Sequence, residues 1–337
     1  MRSARLSLVL DSGVLSLPPQ GTIAVVGARA GEDLSALPKD RTVIVTGFRP
    51  DFDAFSAAGW TCEVAVPAGL AGALVCLPRA REAARALVAT VAMAVRPGGP
   101  VAVDGQKTDG IEALLRDLAR ALPGGLSDPV SKAHGRLAVF AAGPELAGWA
   151  GQDRRIEGGF LTRPGVFSAD APDRGSVLLA GALPARLAGS VVDLGAGWGF
   201  LARAVLAREG VVSLDLVEAD AVALDCARAN VTDPRARFHW ADAVRWRPAR
   251  PVDHVVCNPP FHVGREADPA LGVAFLRAAA AMLAPDGRLW LVANRHLPYD
   301  AVLADLFQTR DEIGGDGTFR VVAAARPRAL PKDRRPR

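Results

Sequence analysis

Lysine, cysteine and aromatic side chains are all scarce in this 337-residue chain, and each scarcity narrows what the protein can be. Four cysteines stand at Cys62, Cys76, Cys226 and Cys257, none in a C-x-x-C pair and none with a histidine at ligand spacing. That arrangement argues against both a disulfide framework and a metal site. Long apolar runs are missing as well. The N-terminal stretch from Leu6 to Leu10 is too short for the core of a signal peptide, and nothing later approaches a membrane span. The expectation is a cytoplasmic protein with no membrane and no metal partner. With so few lysines, no basic face declares itself in the body of the chain. The net charge of +4 comes from the end, where residues 326–337 carry six basic side chains and one acidic one, leaving the rest near neutral. Such a tail is either a solvated end or an arm that contacts phosphates.

What is present fits an ordered protein: 50% hydrophobic, 23% charged and 6% aromatic residues over a length that suits two domains. Apolar strand-like runs alternate with helical patterns: Thr22 to Val26, Thr42 to Thr46, Leu74 to Cys76 and Val101 to Val103, then Val191 to Leu194, Val211 to Val217, His254 to Cys257 and Leu289 to Val292. This alternation predicts a parallel sheet covered by helices on both faces. The plan occurs twice. In both halves an Ala-rich helix closes at a P-x-G turn (Pro97 and Gly99; Pro285 and Gly287), a strand follows, and a second helix ends in Leu-x-Asp-Leu. Pro97 and Pro285 are 188 residues apart, and so are Leu118 and Leu306. A constant offset of this kind points to duplication. The stretch Ala141 to Gly165, rich in Gly and charge, separates the halves. The expected domains are 1–145 and 166–325, with a linker over 146–165 and a basic tail over 326–337. Trp149 and Phe160 are expected to pack the linker onto one domain.

The chemistry falls in the second half. The stretch "VVDLGAGWGF" (Val191 to Phe200) reads as a strand, a tight turn with Gly195, Gly197 and Gly199, and a helix from about Phe200. Glycines serve where backbone turns sharply or lies against a ligand. The G-x-G-x-G spacing differs from the G-x-G-x-x-G of dinucleotide folds. Three carboxylates follow at successive strand ends: Asp193 before the turn, Glu218 where two ribose hydroxyls could donate to it, and Asp242 within reach of an adenine amino group. Asp215, in mid-strand, is given a structural role.

The most telling stretch is "VVCNPPFH" (Val255 to His262). Methylating a planar amino nitrogen requires both N–H hydrogens to be held so that the lone pair faces the electrophile. The Asn258 side-chain oxygen and the Pro259 carbonyl supply two acceptors. Pro259 and Pro260 fix the backbone and remove competing donors, and Phe261 offers a flat surface for a base to stack on. The first half has Leu77 where the second has Asn258, so the first half is expected to be inactive.

With these residues in view, the second half resembles the class I S-adenosylmethionine-dependent methyltransferases. Together with "LTRPGVFSADAPDRGSVLLAGAL", "NPPFHVG" and "LVANRHLPYDAVLADLF", it is similar to the bacterial ribosomal RNA guanine-N2 methyltransferases of the RsmC and RlmG type. The resemblance implies two tandem Rossmann-like α/β domains, the N-terminal one degenerate and serving folding and RNA binding. It implies S-adenosylmethionine as cofactor, with Asp193, Gly195, Ala196 and Gly197 at its methionine part, Glu218 at the ribose, and Asp242 with Ala243 at the adenine. Asn258, Pro259, Pro260 and Phe261 would hold the guanine amino group for direct displacement. The implied partner is ribosomal RNA or the small ribosomal subunit, met by a monomer.

His262 is read as a packing or substrate-positioning residue, since water can take the proton after transfer. Phe167 either closes over the site or packs in the core. A glutamine amide in a protein, or a guanine of 23S rRNA, is the alternative substrate. A nicotinamide-dependent oxidoreductase leaves Asn258-Pro259-Pro260 unexplained, and a non-catalytic RNA-binding module leaves both intact motifs without a purpose.

Overall fold

The computed structural model describes residues 2–260, 262–263, 266–267 and 269–328, with side chains outside 261–268. Most of the basic tail thus lies outside the described residues. The chain divides into two compact units, residues 1–154 with 163–165, and residues 155–162 with 166 onward.

The first unit contains strands β1 (Ile23–Val26), β2 (Thr42–Val45), β3 (Thr61–Glu63), β4 (Gly72–Cys76), β5 (Pro100–Gln106), β6 (Val130–Lys132) and β7 (Gly135–Ala141), in the order β3-β2-β1-β4-β5-β7-β6. Its helices are α1 (Arg2–Asp11), α2 (Arg49–Ala57), α3 (Arg81–Ala94) and α4 (Ile111–Ala121). Side chains alternate between the two faces. Ala24, Val26, Val75 and Leu77 pack with α3 and α4, while Val25, Ile44, Leu74 and Cys76 pack with Leu6 and Val9 of α1.

Two short strands, β8 (Arg154–Arg155) and β9 (Leu161–Thr162), form a separate ribbon. The second unit then repeats the plan with β10 (Arg186–Leu194), β11 (Glu209–Glu218), β12 (Ala236–Trp240), β13 (Val252–Cys257), β14 (His262–Val263), β15 (Glu266–Ala267), β16 (Leu283–Asn294), β17 (Phe307–Gly315) and β18 (Phe319–Pro327). Its main sheet runs β12-β11-β10-β13-β16-β18-β17, the same order as the first. Helices α5 (Arg174–Ala182), α6 (Phe200–Leu206) and α7 (Ala221–Asn230) supply Leu179, Val205 and Ala227 to one face. Helices α8 (Pro269–Met282) and α9 (Tyr299–Leu306) supply Leu276 and Leu303 to the other. Val192, Leu194, Val255, Leu289 and Leu291 are fully buried, each worth roughly 1.5–3 kcal/mol on burial.

Three expectations are corrected. Neither large sheet is wholly parallel: β7 runs antiparallel to β5, and β18 to β16. Helical crossovers make strands parallel, but β6 and β7 are joined by the two-residue turn Ala133-His134, both at positive φ, and such turns join antiparallel neighbours. Next, Pro285 to Gly287 do not end a helix before a strand begins. They form an irregularity inside β16, between the pairings Leu283 with Val252 and Arg288 with His254. Third, the aromatics of the expected linker pack in different units. Trp149 lies under the Arg85 guanidinium in the first, and Phe160 packs edge-on against Trp198 in the second.

Candidate active site

Strand β10 delivers the chain into the glycine turn. Gly195 and Ala196 both donate backbone N–H to the Val217 carbonyl, at 2.9 and 3.1 Å, which folds the turn over the end of β11. Gly195, Gly197 and Gly199 have φ of +80°, +55° and +89°, a region that L side chains enter at a cost of roughly 1–2 kcal/mol. Two of the glycines are needed for different reasons. A Cβ on Gly199 would sit 2.9 Å from Val231 Cγ2, so this glycine permits α6 to pack against the end of α7. A Cβ on Gly197 would meet nothing within 4 Å. The turn therefore shows bare backbone to open space at Gly197.

Trp198 between these glycines is buried, with Phe160 and Phe200 around it. Its Nε1–H donates to the Phe167 carbonyl at 2.8 Å. Asn230, the last residue of α7, donates from Nδ2 to the carbonyls of Trp198 and Leu161, both at 2.8 Å, and accepts from the Leu161 amide. These bonds fix the turn and the preceding segment together. The Phe167 side chain itself is 60% exposed at the edge of the cleft, which excludes the core-packing reading.

Asp193 is fully buried, and neither carboxylate oxygen makes a well-formed hydrogen bond. Burial pushes this carboxyl up to about 7, the charge of Glu218 adds to the rise, and the nearby Ala202 amide only partly opposes it. Glu218 accepts from the backbone N–H of Gly197 and of Asp220, both at 2.8 Å. Burial raises its pKa too, against those amide donors. A carboxylate has about four acceptor positions, so Glu218 keeps capacity for further donors. Asp242 lies two residues past β12, accepts from the Val244 amide at 2.9 Å, and stands 3.6 Å from Arg245. Ala243 is buried among core side chains, so only its backbone can meet a ligand. Asp215 pairs across the strands with Arg237 and His239, the structural role expected of it.

Asn258 follows β13, the strand beside β10. Pro259 is buried and Pro260 exposed. The Asn258 Nδ2 donates to Asp173 Oδ2 and to Ser176 Oγ, both at 2.9 Å. With both amide hydrogens taken, Oδ1 remains as the acceptor. Phe261 and the side chain of His262 lie outside the described residues.

One cleft brings together Phe167, Asp173, Gly195, Ala196, Gly197 and Asn258. Glu218 joins it through its bond to Gly197, whereas Asp242 and Ala243 sit further along the sheet edge. The sequence reading missed Asp173, Ser176, Trp198 and Asn230. The signal for the first two is the D-x-x-S pattern of a helix start, which marks a cap but gives no hint of a partner more than eighty residues away. Among the described residues no group of three or more His, Cys, Asp or Glu could hold a metal ion.

The glycine turn after the first strand of a sheet ordered in this way, with an Asn-Pro-Pro run after the strand beside it, defines a methyltransferase of the class I fold. The family model described as the methyltransferase small domain matches residues 157–323. The ribosomal RNA small subunit methyltransferase C of Pseudomonas aeruginosa is 34% identical over 270 residues, covering 75% of this chain and 79% of that protein. Its counterpart in Yersinia pestis is 30% identical over 267 residues, covering 77% and 76%. A solved structure, the Thermus thermophilus 16S rRNA N2 G1207 methyltransferase in complex with AdoMet and guanosine, superposes with a TM-score of 0.76 at 26% identity, over 95% of this chain and 92% of that one. This chain belongs to the ribosomal RNA small subunit methyltransferase C family.

Proposed function

We propose that the protein transfers a methyl group from S-adenosylmethionine to the exocyclic N2 of a guanine in 16S ribosomal RNA. The observation that carries this reading is the state of Asn258: its amide hydrogens are both engaged, and its oxygen is the remaining acceptor beside a bare glycine turn.

The residues suit the cofactor. Gly197 leaves open the space a Cβ would fill, and Asp193 is a buried carboxylate with no well-formed hydrogen bond just before the turn. The bound cofactor supplies an electrophilic methyl carbon on a sulfonium. Gly195, Ala196 and Gly197 would lie along its methionine part with Asp193 nearby, Glu218 would accept from the ribose hydroxyls, and Asp242 with the Ala243 backbone would meet the adenine. Asn258 Oδ1 and the Pro259 carbonyl would each accept one hydrogen of the guanine amino group, which turns its lone pair outward. Pro260 stiffens that backbone, and the stacking assigned to Phe261 and the positioning role of His262 rest on sequence. After transfer the nitrogen becomes acidic, and water removes its proton. The exposed Phe167 is suited to cover the base. One chain supplies every one of these groups, which supports a monomer. Ribosomal RNA is made in the bacterial cytoplasm, so the reaction belongs there.

The test offers methyl-labelled S-adenosylmethionine with 16S rRNA, small subunits, large subunits and a release factor. Label as N2-methylguanine in 16S rRNA is expected. Label only in protein, or only in 23S rRNA, overturns the assignment.

A further inference from the structure

The contact that holds Asn258 does more than fill a valence. Asp173 Oδ2 accepts from the Asn258 amide at 2.9 Å and also from the Ser176 backbone N–H at 2.8 Å, as the N-cap of α5. Ser176 Oγ, on a buried residue, lies 2.9 Å from the same Asn258 nitrogen.

We propose that Asp173, assisted by Ser176, is a positioning residue that decides which end of the Asn258 carboxamide meets the substrate. The inference rests on the reading that Asn258 Oδ1 accepts from the substrate amino group. A carboxamide is nearly symmetric in shape, with a donor at one end and an acceptor at the other, so sterics alone do not choose between its two orientations. Turned the wrong way, Asn258 would set its own NH₂ against the NH₂ it has to hold. An ionised carboxylate can only accept, and its bond to an amide is strengthened by charge. Asp173 therefore admits the nitrogen and repels the oxygen. Ser176 takes the second hydrogen, because its hydroxyl can rotate its own proton away. The cap bond anchors the carboxylate to a helix packed on the sheet, so the orientation is built into a rigid element. The same arrangement selects for an amino group and against a carbonyl at the reacting position, since a carbonyl would face Oδ1 lone pair to lone pair.

Asp173→Ser separates positioning from capping. Ser caps helices about as well as Asp, but its hydroxyl, one bond shorter, caps without reaching Asn258 and so removes the bias. The experiment measures single-turnover methyl transfer to small subunits, cofactor affinity by titration, and thermal unfolding, for the wild type, Asp173→Ser, Asp173→Ala and Ser176→Ala. Asp173→Ser is expected to keep its melting temperature and cofactor affinity while transfer slows by about 10- to 100-fold. Asp173→Ala should slow transfer and also lose stability. Ser176→Ala should slow transfer by a smaller factor at unchanged melting temperature. Wild-type rates in Asp173→Ser overturn the proposal and leave Asp173 as a cap alone. Should Asp173→Ser fail to fold, Ser176→Ala decides: a wild-type rate there overturns the proposal, and a slowed rate upholds it. No transfer to 16S rRNA by the wild type would instead sink the functional reading itself.

Discussion

The two large sheets share one strand order and differ at most positions where chemistry would occur. Pairing registers align them. Val26 and Leu194 end the first strands, Val45 and Val217 lie beside them on one side, and Val75 and Cys257 on the other. On that alignment Val25 stands for Asp193, Thr46 for Glu218 and Val66 for Asp242, while Cys76 stands for Asn258 in place of the Leu77 expected from sequence, because Val26 pairs with Val75 whereas Leu194 pairs with Cys257. Gly27-Ala28-Arg29-Ala30-Gly31 replaces Gly195-Ala196-Gly197-Trp198-Gly199, so an arginine stands where Gly197 leaves space. The helices before the first strands differ in the same sense. In the second unit the start of α5 presents acceptors to Asn258. In the first, α1 sends the wholly buried Arg5 to Asp104, and Arg2 bridges Asp104 to Glu32 just past the turn, at 2.7 and 2.9 Å. One scaffold thus keeps a polar cleft and the other closes it with ion pairs and apolar side chains. Fold and function are separable here: the sheet order needs only buried alternating strands, whereas the reaction needs a handful of side chains at strand ends.

The largest effect should come from the position that distinguishes the sheets most. Asn258→Ala is expected to slow methyl transfer by about 10²- to 10³-fold, in the range for losing a group that orients the reacting atom, with cofactor affinity kept. Full activity in this variant would remove the contrast with Cys76. Next, Arg5→Ala leaves Asp104 short of its buried partner. The first unit should lose about 3 kcal/mol of stability, seen in calorimetry as a lower transition that S-adenosylmethionine does not restore. An unchanged trace would mean that the ion pair does not hold the first unit closed.

A smaller effect is expected at the turn. Gly197→Ala adds a Cβ at φ +55° where ligand backbone contact is proposed, and should weaken cofactor binding by about tenfold. Arg29→Gly, the reverse change in the first unit, should create no second cofactor site, which titration stoichiometry reads directly. The smallest effect is on pH dependence. Asp193 holds its proton to about 7 in the fold, whereas an unfolded chain loses it at about 4. Between those values the folded state binds more protons, so stability falls as pH rises and levels off above about 7. Asp193→Asn should flatten the slope that this residue contributes to thermal unfolding between pH 4 and 7, in the absence of cofactor. An identical slope in the variant would place the titration elsewhere.

Much of this arrangement is legible in the chain. The central strands are apolar runs with both faces covered, so Val191 to Leu194 and His254 to Cys257 read clearly. The edge strands do not. Phe307 to Gly315 is exposed over most of its length, and with one open face and an antiparallel neighbour it carries no apolar run. The glycine turn and Asn-Pro-Pro are local in sequence and so visible. Asp173 and Asn258 meet only because α5 and β13 come together in the fold, and no spacing rule links them. The weak hydrogen bonding of Asp193 is likewise a property of packing: its identity is visible in the chain, but its want of a well-formed hydrogen bond appears only once its neighbours are in place.

The most direct measurement maps N2-methylguanine in 16S rRNA from cells lacking the gene, complemented with the wild type or with Asn258→Ala. The account predicts one guanine that loses its methyl group on deletion, regains it with the wild type and stays bare with the variant. Restoration by Asn258→Ala, or a 16S rRNA unchanged by deletion, would contradict it.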